Sequence, residues 1–395
     1  MDIELSESPC PCESGYRFAE CCGEQDRSRQ HRLATVSTAG IHAETPVSAQ
    51  LQEALRNLDA DPGLFPARIN FADKQAFLVK MSPRWYRESV FLDPARIIGR
   101  CLIEAELQWL QDVSDKISWQ PSAFIFHTAF CGSTLMSQAL DAAYHTVPIR
   151  EPELLGNLLM YLRNPANSIE DKDAWYRRVM ALLSRRFDAQ HKVVIKANDY
   201  ANPIMLAMIE RHTDAPLLFM YTPLREFLVG CLKADNRKQW IAQRYAALRL
   251  PINQLLGIGP DFTVAENAYG ELAALYWSYN IALFHKAYRN LPARVRSLEF
   301  NHMLDDPYTA VARCANWFGL SPIEGVTIEQ AVTPLLGVYS KNSKFTFSQQ
   351  QRDRDMETLL STHQTELAAA EELARKLLAA DYPEDGLPGD LLRHF

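Results

Sequence analysis

Apolar positions along this chain follow two rhythms. Short uninterrupted apolar runs alternate with longer stretches in which apolar residues return every three or four positions. The first rhythm predicts buried strands and the second amphipathic helices. Strands are predicted at Ala123–Phe126, Thr146–Ile149, Lys192–Lys196, Pro216–Thr222 and Arg294–Leu298. Helical spacing begins at Leu135 and runs to Ala143; further helices are predicted over Leu154–Leu162, 173–188, about Pro203–Arg211, 224–249, 268–289, 307–319 and about 350–381. Strands alternating with helices predict an α/β fold with a mostly parallel sheet flanked by helices. Ligands in such folds sit at the C-terminal ends of the strands.

The flanks read differently. Residues 24–50 are polar without periodicity and predict a linker, followed by a short helix over 51–60. Residues 61–120 carry Pro62, Pro66, Pro83 and Pro94, with a helical run from about Pro94 to Val113. The resulting layout is a cysteine-rich segment at 1–25, a linker and short helix at 26–60, a lead-in at 61–120, an α/β domain at 121–345 and a C-terminal helical segment at 346–395. On the helix predicted at 173–188, Arg177, Arg178, Arg185 and Arg186 fall on one face and read as a solvated stripe.

Composition narrows the class. At 395 residues, with 47% hydrophobic and 23% charged residues, the chain has the profile of a globular protein. A net charge of −7 argues against bulk binding to nucleic acid or to an anionic membrane surface. No apolar run approaches the roughly 20 residues that span a bilayer. The acidic start, Met-Asp-Ile-Glu-Leu, lacks the basic-then-apolar pattern of a signal peptide, so a cytoplasmic location is expected.

Two segments carry candidate chemistry. The first is the predicted strand that ends near His127 and runs through Thr128-Ala-Phe-Cys-Gly-Ser-Thr134 into a helix. The first amides of a helix lack internal partners and carry the positive end of its dipole, so an anion is stabilised there. Gly132 allows close backbone approach, and the Ser133 and Thr134 hydroxyls add donors. The pattern is not a nucleotide-binding G-x-x-x-x-G-K-S/T loop, because His127 takes the early glycine position and no Lys precedes Ser133. The second segment is Cys10-Pro-Cys12 followed after eight residues by Cys21-Cys22-Gly. Four thiolates at this spacing can form a closed tetrahedral zinc site whose binding energy folds the segment. The sequence around them, with Ser14-Gly15, Tyr16 and Phe18, resembles the SEC-C zinc motif, which implies Cys10, Cys12, Cys21 and Cys22 as zinc ligands in a small non-catalytic appendage that docks a protein or nucleic acid.

Residues 121–325 resemble the sulfotransferase family. The resemblance is carried by Cys131-Gly-Ser-Thr-Leu-Met136 after a strand, Val194-Ile-Lys196, Asp214-Ala-Pro through Pro223, and Glu299, Asp306-Pro307 and Phe318-Gly-Leu320 near the end. It implies a P-loop-like domain that binds the sulfate donor PAPS (3′-phosphoadenosine 5′-phosphosulfate). Cys131, Gly132, Ser133, Thr134 and Leu135 would hold the 5′-phosphosulfate, Lys196 would neutralise developing charge, and Glu151, or failing it His127, would take the acceptor's proton. The acceptor would be a small molecule or peptide with a hydroxyl or amine. Three positions depart from the family: Phe130 replaces a loop Lys or Arg, Tyr221 the Arg that holds the 3′-phosphate, and Gly230 the Ser that assists it. Arg150, Lys196, Arg225 and Lys233 are candidate replacements from strand-end position, and Lys341 and Lys344 would lie over the nucleotide. Two other readings stay open: a P-loop small-molecule kinase, and a non-catalytic adaptor that docks a partner through the zinc motif.

Overall fold

The computed structural model describes residues 31–42, 49–93, 101–119, 122–211, 213–259, 261–265, 267–338 and 348–393. The four zinc-motif cysteines, Lys341 and Lys344 lie outside the described residues. The chain divides into two compact units: Met1–Ala123 with Tyr144–Asn198, and Phe124–Ala143 with Asp199–Phe395. The α/β region predicted as one domain is therefore shared between the units, and residues 144–198 group with the lead-in.

The first unit holds a five-stranded sheet made of β1 (His31–Ser37), β2 (Gly40–His42), β3 (Leu64–Asn70), β4 (Gln75–Lys80) and β5 (Cys101–Glu106). Their order across the sheet is β2-β1-β5-β4-β3. β1 pairs parallel with β5, and the other pairings are antiparallel. Two expectations are corrected here. The segment 26–60 is not only linker and helix: β1 and β2 precede the Ala49–Arg56 helix. The helical run expected from Pro94 is strand β5 over Cys101–Glu106, and the helix begins at Leu107 and ends at Ser114. In β5, buried Ile103 and Ala105 alternate with Glu104 and Glu106, the period-two pattern of a strand with one buried face.

The same unit contains β7 (Thr146–Arg150) and β8 (Lys192–Lys196), paired parallel with Arg150 opposite Lys196. Helices Glu153–Arg163 and Ile169–Leu183 connect them. The latter starts under Ser168, whose hydroxyl accepts the Asp171 amide. The arginine stripe is not uniformly solvated. Arg185 is buried, and its guanidinium donates to the carbonyls of Leu182, Leu58, Asp61 and Leu64 at 2.7–2.9 Å. Arg178 makes a two-pronged pair with Asp115 at 2.7 and 2.8 Å.

The second unit is built on β6 (Ala123–His127), β9 (Leu217–Tyr221) and β10 (Val295–Glu299), with β9 between the other two and both pairings parallel. β6 and β9 are buried along their whole length, which is why each reads as a continuous apolar run. Helix Ser133–Ala143 follows β6, and Leu224–Leu232 and Asp235–Leu256 follow β9. Tyr269–Asn290 is apolar nearly all round and packs on Asp235–Leu256 and Gln364–Leu378. Phe300–Asp305, Pro307–Phe318, Ile328–Leu336 and Gln349–Thr362 complete the unit. Residues beyond the last helix return to the sheet: the Ser297 amide donates to Gly389 and the Leu391 amide to Ser297, at 3.0 and 2.9 Å. All five strands expected from apolar runs exist, and their pairings are parallel, as an α/β fold requires. No helix among the described residues is long and apolar enough to cross a membrane.

Candidate functional site

The turn after β6 has an unusual backbone. Ala129, Phe130 and Gly132 have φ of 71°, 54° and 70°. Left-handed backbone at a non-glycine residue costs energy and persists where the surroundings enforce it. At Gly132 the requirement is also steric: an added Cβ would lie 2.5 Å from Phe300 Cε2 and 2.6 Å from Met303 Cε. The Gly132 carbonyl accepts the Met136 amide at 3.0 Å, which opens the helix and leaves the amides of Ser133, Thr134 and Leu135 without intrahelical partners. The Thr134 hydroxyl is buried, and among the described residues it has no hydrogen-bond partner. An unsatisfied buried hydroxyl costs about 1–3 kcal/mol.

This helix start opens on a cavity of about 560 Å³ within the second unit. One wall is the turn itself, from Phe130 to Leu135, with His127 beneath. Lys233 and Arg237 form a second wall, and Arg352 and Arg354 come from the Gln349–Thr362 helix. Phe300, Leu304, Leu335, Leu336, Met356 and Leu359 supply an apolar side. Among the described residues Glu226 is the one carboxylate on the lining, and it is occupied. Asn301 Nδ2 donates to its Oε1 at 2.6 Å, and Arg352 donates to its Oε2. Arg352 also reaches Asn301 Oδ1 at 3.0 Å and lies over the Phe300 ring. Lys233, Arg237, Arg352 and Arg354 give this lining a basic character that suits an anion.

The sequence-predicted residues fall into two groups. In the second unit, His127, Cys131, Gly132, Ser133, Thr134, Leu135 and Lys233 share the cavity lining. His127 is buried; its Nδ1 accepts the Ala129 amide at 3.0 Å, so in the neutral ring the proton sits on Nε2. Its carbonyl accepts Asn202 Nδ2 at 2.8 Å. Arg225 is directed elsewhere, pairing with Glu371 at 2.7 Å. In the first unit, Lys196 is fully buried and donates to Glu151, which has a left-handed backbone with φ of 50°. The Glu151 amide donates to the Lys196 carbonyl at 2.7 Å, and Asn198 Nδ2 donates to the Glu151 carbonyl at 3.1 Å. The pair is thus tied through both side chains and backbone. Arg150 is buried, and its Nη1 lies 2.8–3.2 Å from the carbonyls of Tyr86, Arg87 and Ser89.

The three departures from the family pattern also have definite places. Tyr221 is buried; its hydroxyl donates to Glu299 Oε2 at 3.2 Å and accepts the Leu387 amide at 3.0 Å. Burial drives its pKa well above the ordinary phenol value. Phe130 packs against Phe227 and Trp240, and Gly230 lies beside the Phe130 ring. Arg237, Arg352 and Glu226 are site residues that sequence reasoning missed. Arg237 follows Lys233 by four residues, the spacing of one helix face, and that was the available signal. Among the described residues no cluster of metal-ligating side chains is present, so the zinc reading rests on the cysteine spacing alone.

Neither a protein-family model nor a curated protein sequence matches the chain. Solved structures do. A sulfotransferase domain from the curacin biosynthetic pathway is 13% identical, with a TM-score of 0.33, covering 62% of this chain and 98% of that one. A sulfotransferase from Alicyclobacillus acidocaldarius is 14% identical, with a TM-score of 0.32, covering 66% and 96%. Sulfotransferase STF9 from Mycobacterium avium is 13% identical, with a TM-score of 0.35, covering 65% and 80%. At this distance the likenesses assign no substrate to this chain.

Proposed function

We propose that this protein is a sulfotransferase-type enzyme that transfers a sulfuryl group from PAPS to a hydroxyl or amine of a small molecule or peptide. The observation that carries the reading is the buried Thr134 hydroxyl, without a partner among the described residues, at a helix N-terminus on a cavity lined by Arg237 and three further basic side chains. An anion there would satisfy that hydroxyl and the free amides together. The volume of about 560 Å³ lies in the range of small-molecule sites, roughly 300–1,000 Å³. In this reading Ser133, Thr134 and the amides from Gly132 onward hold the 5′-phosphosulfate. The acceptor oxygen or nitrogen forms a bond to sulfur as the bond from sulfur to the phosphate oxygen breaks. The leaving bisphosphate keeps that electron pair, and the acceptor's proton passes to a base. The sequence resemblance assigns the base to Glu151 and charge compensation to its partner Lys196. Transfer of this kind depends on positioning and cationic stabilisation more than on covalent help from the protein.

The test is a thermal-shift titration with adenosine 3′,5′-bisphosphate, run beside ATP with Mg²⁺. A ligand at 100 times its Kd that binds only the folded state stabilises by about 2.7 kcal/mol. Selective stabilisation by the bisphosphate is expected. Stabilisation by ATP with Mg²⁺ alone would replace this reading with a kinase, and no response to either would replace it with the adaptor.

A further inference from the structure

The missing loop cation has a successor that arrives from another element. At the position where the resemblance calls for Lys or Arg, Phe130 offers an aromatic face, and the Arg237 guanidinium lies 4.8 Å from its ring centroid. Trp240 meets the same ring at 5.2 Å from the side and Phe227 at 5.9 Å, so the ring is held as a platform. The left-handed backbone of Ala129 and Phe130 presents the ring in this direction. Gly230 makes room for it: a Cβ there would sit 3.2 Å from Phe130 Cδ2. Gly230 also fixes the cation, because its carbonyl accepts Arg237 Nη1 at 2.9 Å. Two departures from the family pattern, Phe130 and Gly230, are therefore one arrangement whose product is an aimed guanidinium on the cavity wall.

The other cations are less suited. Arg352 is engaged with Glu226 and Asn301, and Lys233 and Arg354 have exposed, rotamer-rich side chains. Among the described residues the Arg237 guanidinium makes one hydrogen bond, to Gly230, which leaves its remaining N–H groups for a ligand. Stacking on an aromatic face restrains the guanidinium while keeping its charge.

We propose that Arg237, seated on Phe130 and tied to Gly230, is the anion-binding cation of this cavity and takes over the charge that the loop lacks. This rests on the donor-binding reading above. Its test is calorimetric titration of adenosine 3′,5′-bisphosphate into the full chain at two salt concentrations. Arg237→Gln keeps a polar stem and removes the charge. It is expected to raise Kd at least tenfold and to flatten the salt dependence, with ligand-free melting close to wild type. Arg237→Lys, charged but poorer at stacking, is expected to fall between. Gly230→Val, which displaces the ring, is expected to weaken binding in the wild-type background and to add little to Arg237→Gln. Wild-type Kd and salt dependence in Arg237→Gln would overturn the role of Arg237 while leaving the donor-binding reading intact. Absence of bisphosphate binding to the wild type would overturn both.

Discussion

Thr134 shows how a single atom separates stability from binding. Its hydroxyl is buried without a protein partner, so it contributes nothing favourable to the ligand-free fold. Thr134→Val is expected to leave the ligand-free melting temperature unchanged or raise it slightly. The same change is expected to weaken bisphosphate binding about tenfold, or ~1.4 kcal/mol, the range of one hydrogen bond to a charged group. Paired melts with and without ligand check this; marked ligand-free destabilisation would show that the hydroxyl is bonded within the protein. At this scale the sequence was partly legible. Gly132, Ser133 and Thr134 stand out because the chemistry of a helix start is local. Arg237 and Arg352 do not, because they reach the cavity from helices distant in sequence, and such proximity has no local signature. Phe130 read as a lost charge; in space it is the surface on which a charge is carried.

Among the elements, the Ile169–Leu183 helix is anchored by a residue just past its last turn. Arg185 collects carbonyls from that helix and from the Leu58–Leu64 segment, which is otherwise loop and the start of β3. Its pKa is lowered by burial, and the neighbouring acids Asp61 and Asp59 oppose that shift. Arg185→Met is expected to cost about 3–5 kcal/mol, because buried carbonyls would lose their donor at once. Urea unfolding of the full chain measures it, and a loss below about 1 kcal/mol would mean that water replaces the guanidinium. The strands that sequence reasoning found and missed differ in one physical respect. β6 and β9 are buried on both faces and read as apolar runs. β1 and β5 bury one face, as Ala34 with Val36 and Ile103 with Ala105, and such alternation over a few residues is easily taken for polar linker or helix. In β5 the ambiguity deepens because Glu106 leads directly into the Leu107–Ser114 helix.

For the whole molecule, net charge and local charge point in opposite directions. The chain carries −7, yet among the described residues the cavity beside the Ser133–Ala143 helix is lined by four basic side chains and one carboxylate. A concave cationic site on an anionic protein selects small anions by geometry while the rest of the surface repels extended polyanions. The α/β class was legible because alternating strands and helices set it at long range, whereas the division into two units cuts across that alternation and left no compositional mark. The zinc proposal also belongs to this scale. Elemental analysis of the purified chain is expected to find one zinc ion per molecule, lost when Cys21 and Cys22 are replaced by Ser, with bisphosphate binding retained. Zinc persisting in that variant would overturn the assignment.

The return of the 387–391 segment to β10 has a consequence in time. Ser297 and Pro388, which share a hydrogen bond, are 91 residues apart. At synthesis rates of about 5–20 residues per second, the far side of β10 stays uncovered for roughly 5–18 s after the strand is made. During that window the nascent chain presents an open strand edge, the feature by which partly made sheets recruit one another or a chaperone. The 387–391 stretch thus acts as a closing seam, and the speed of translation through residues 300–390 sets how long the seam stays open.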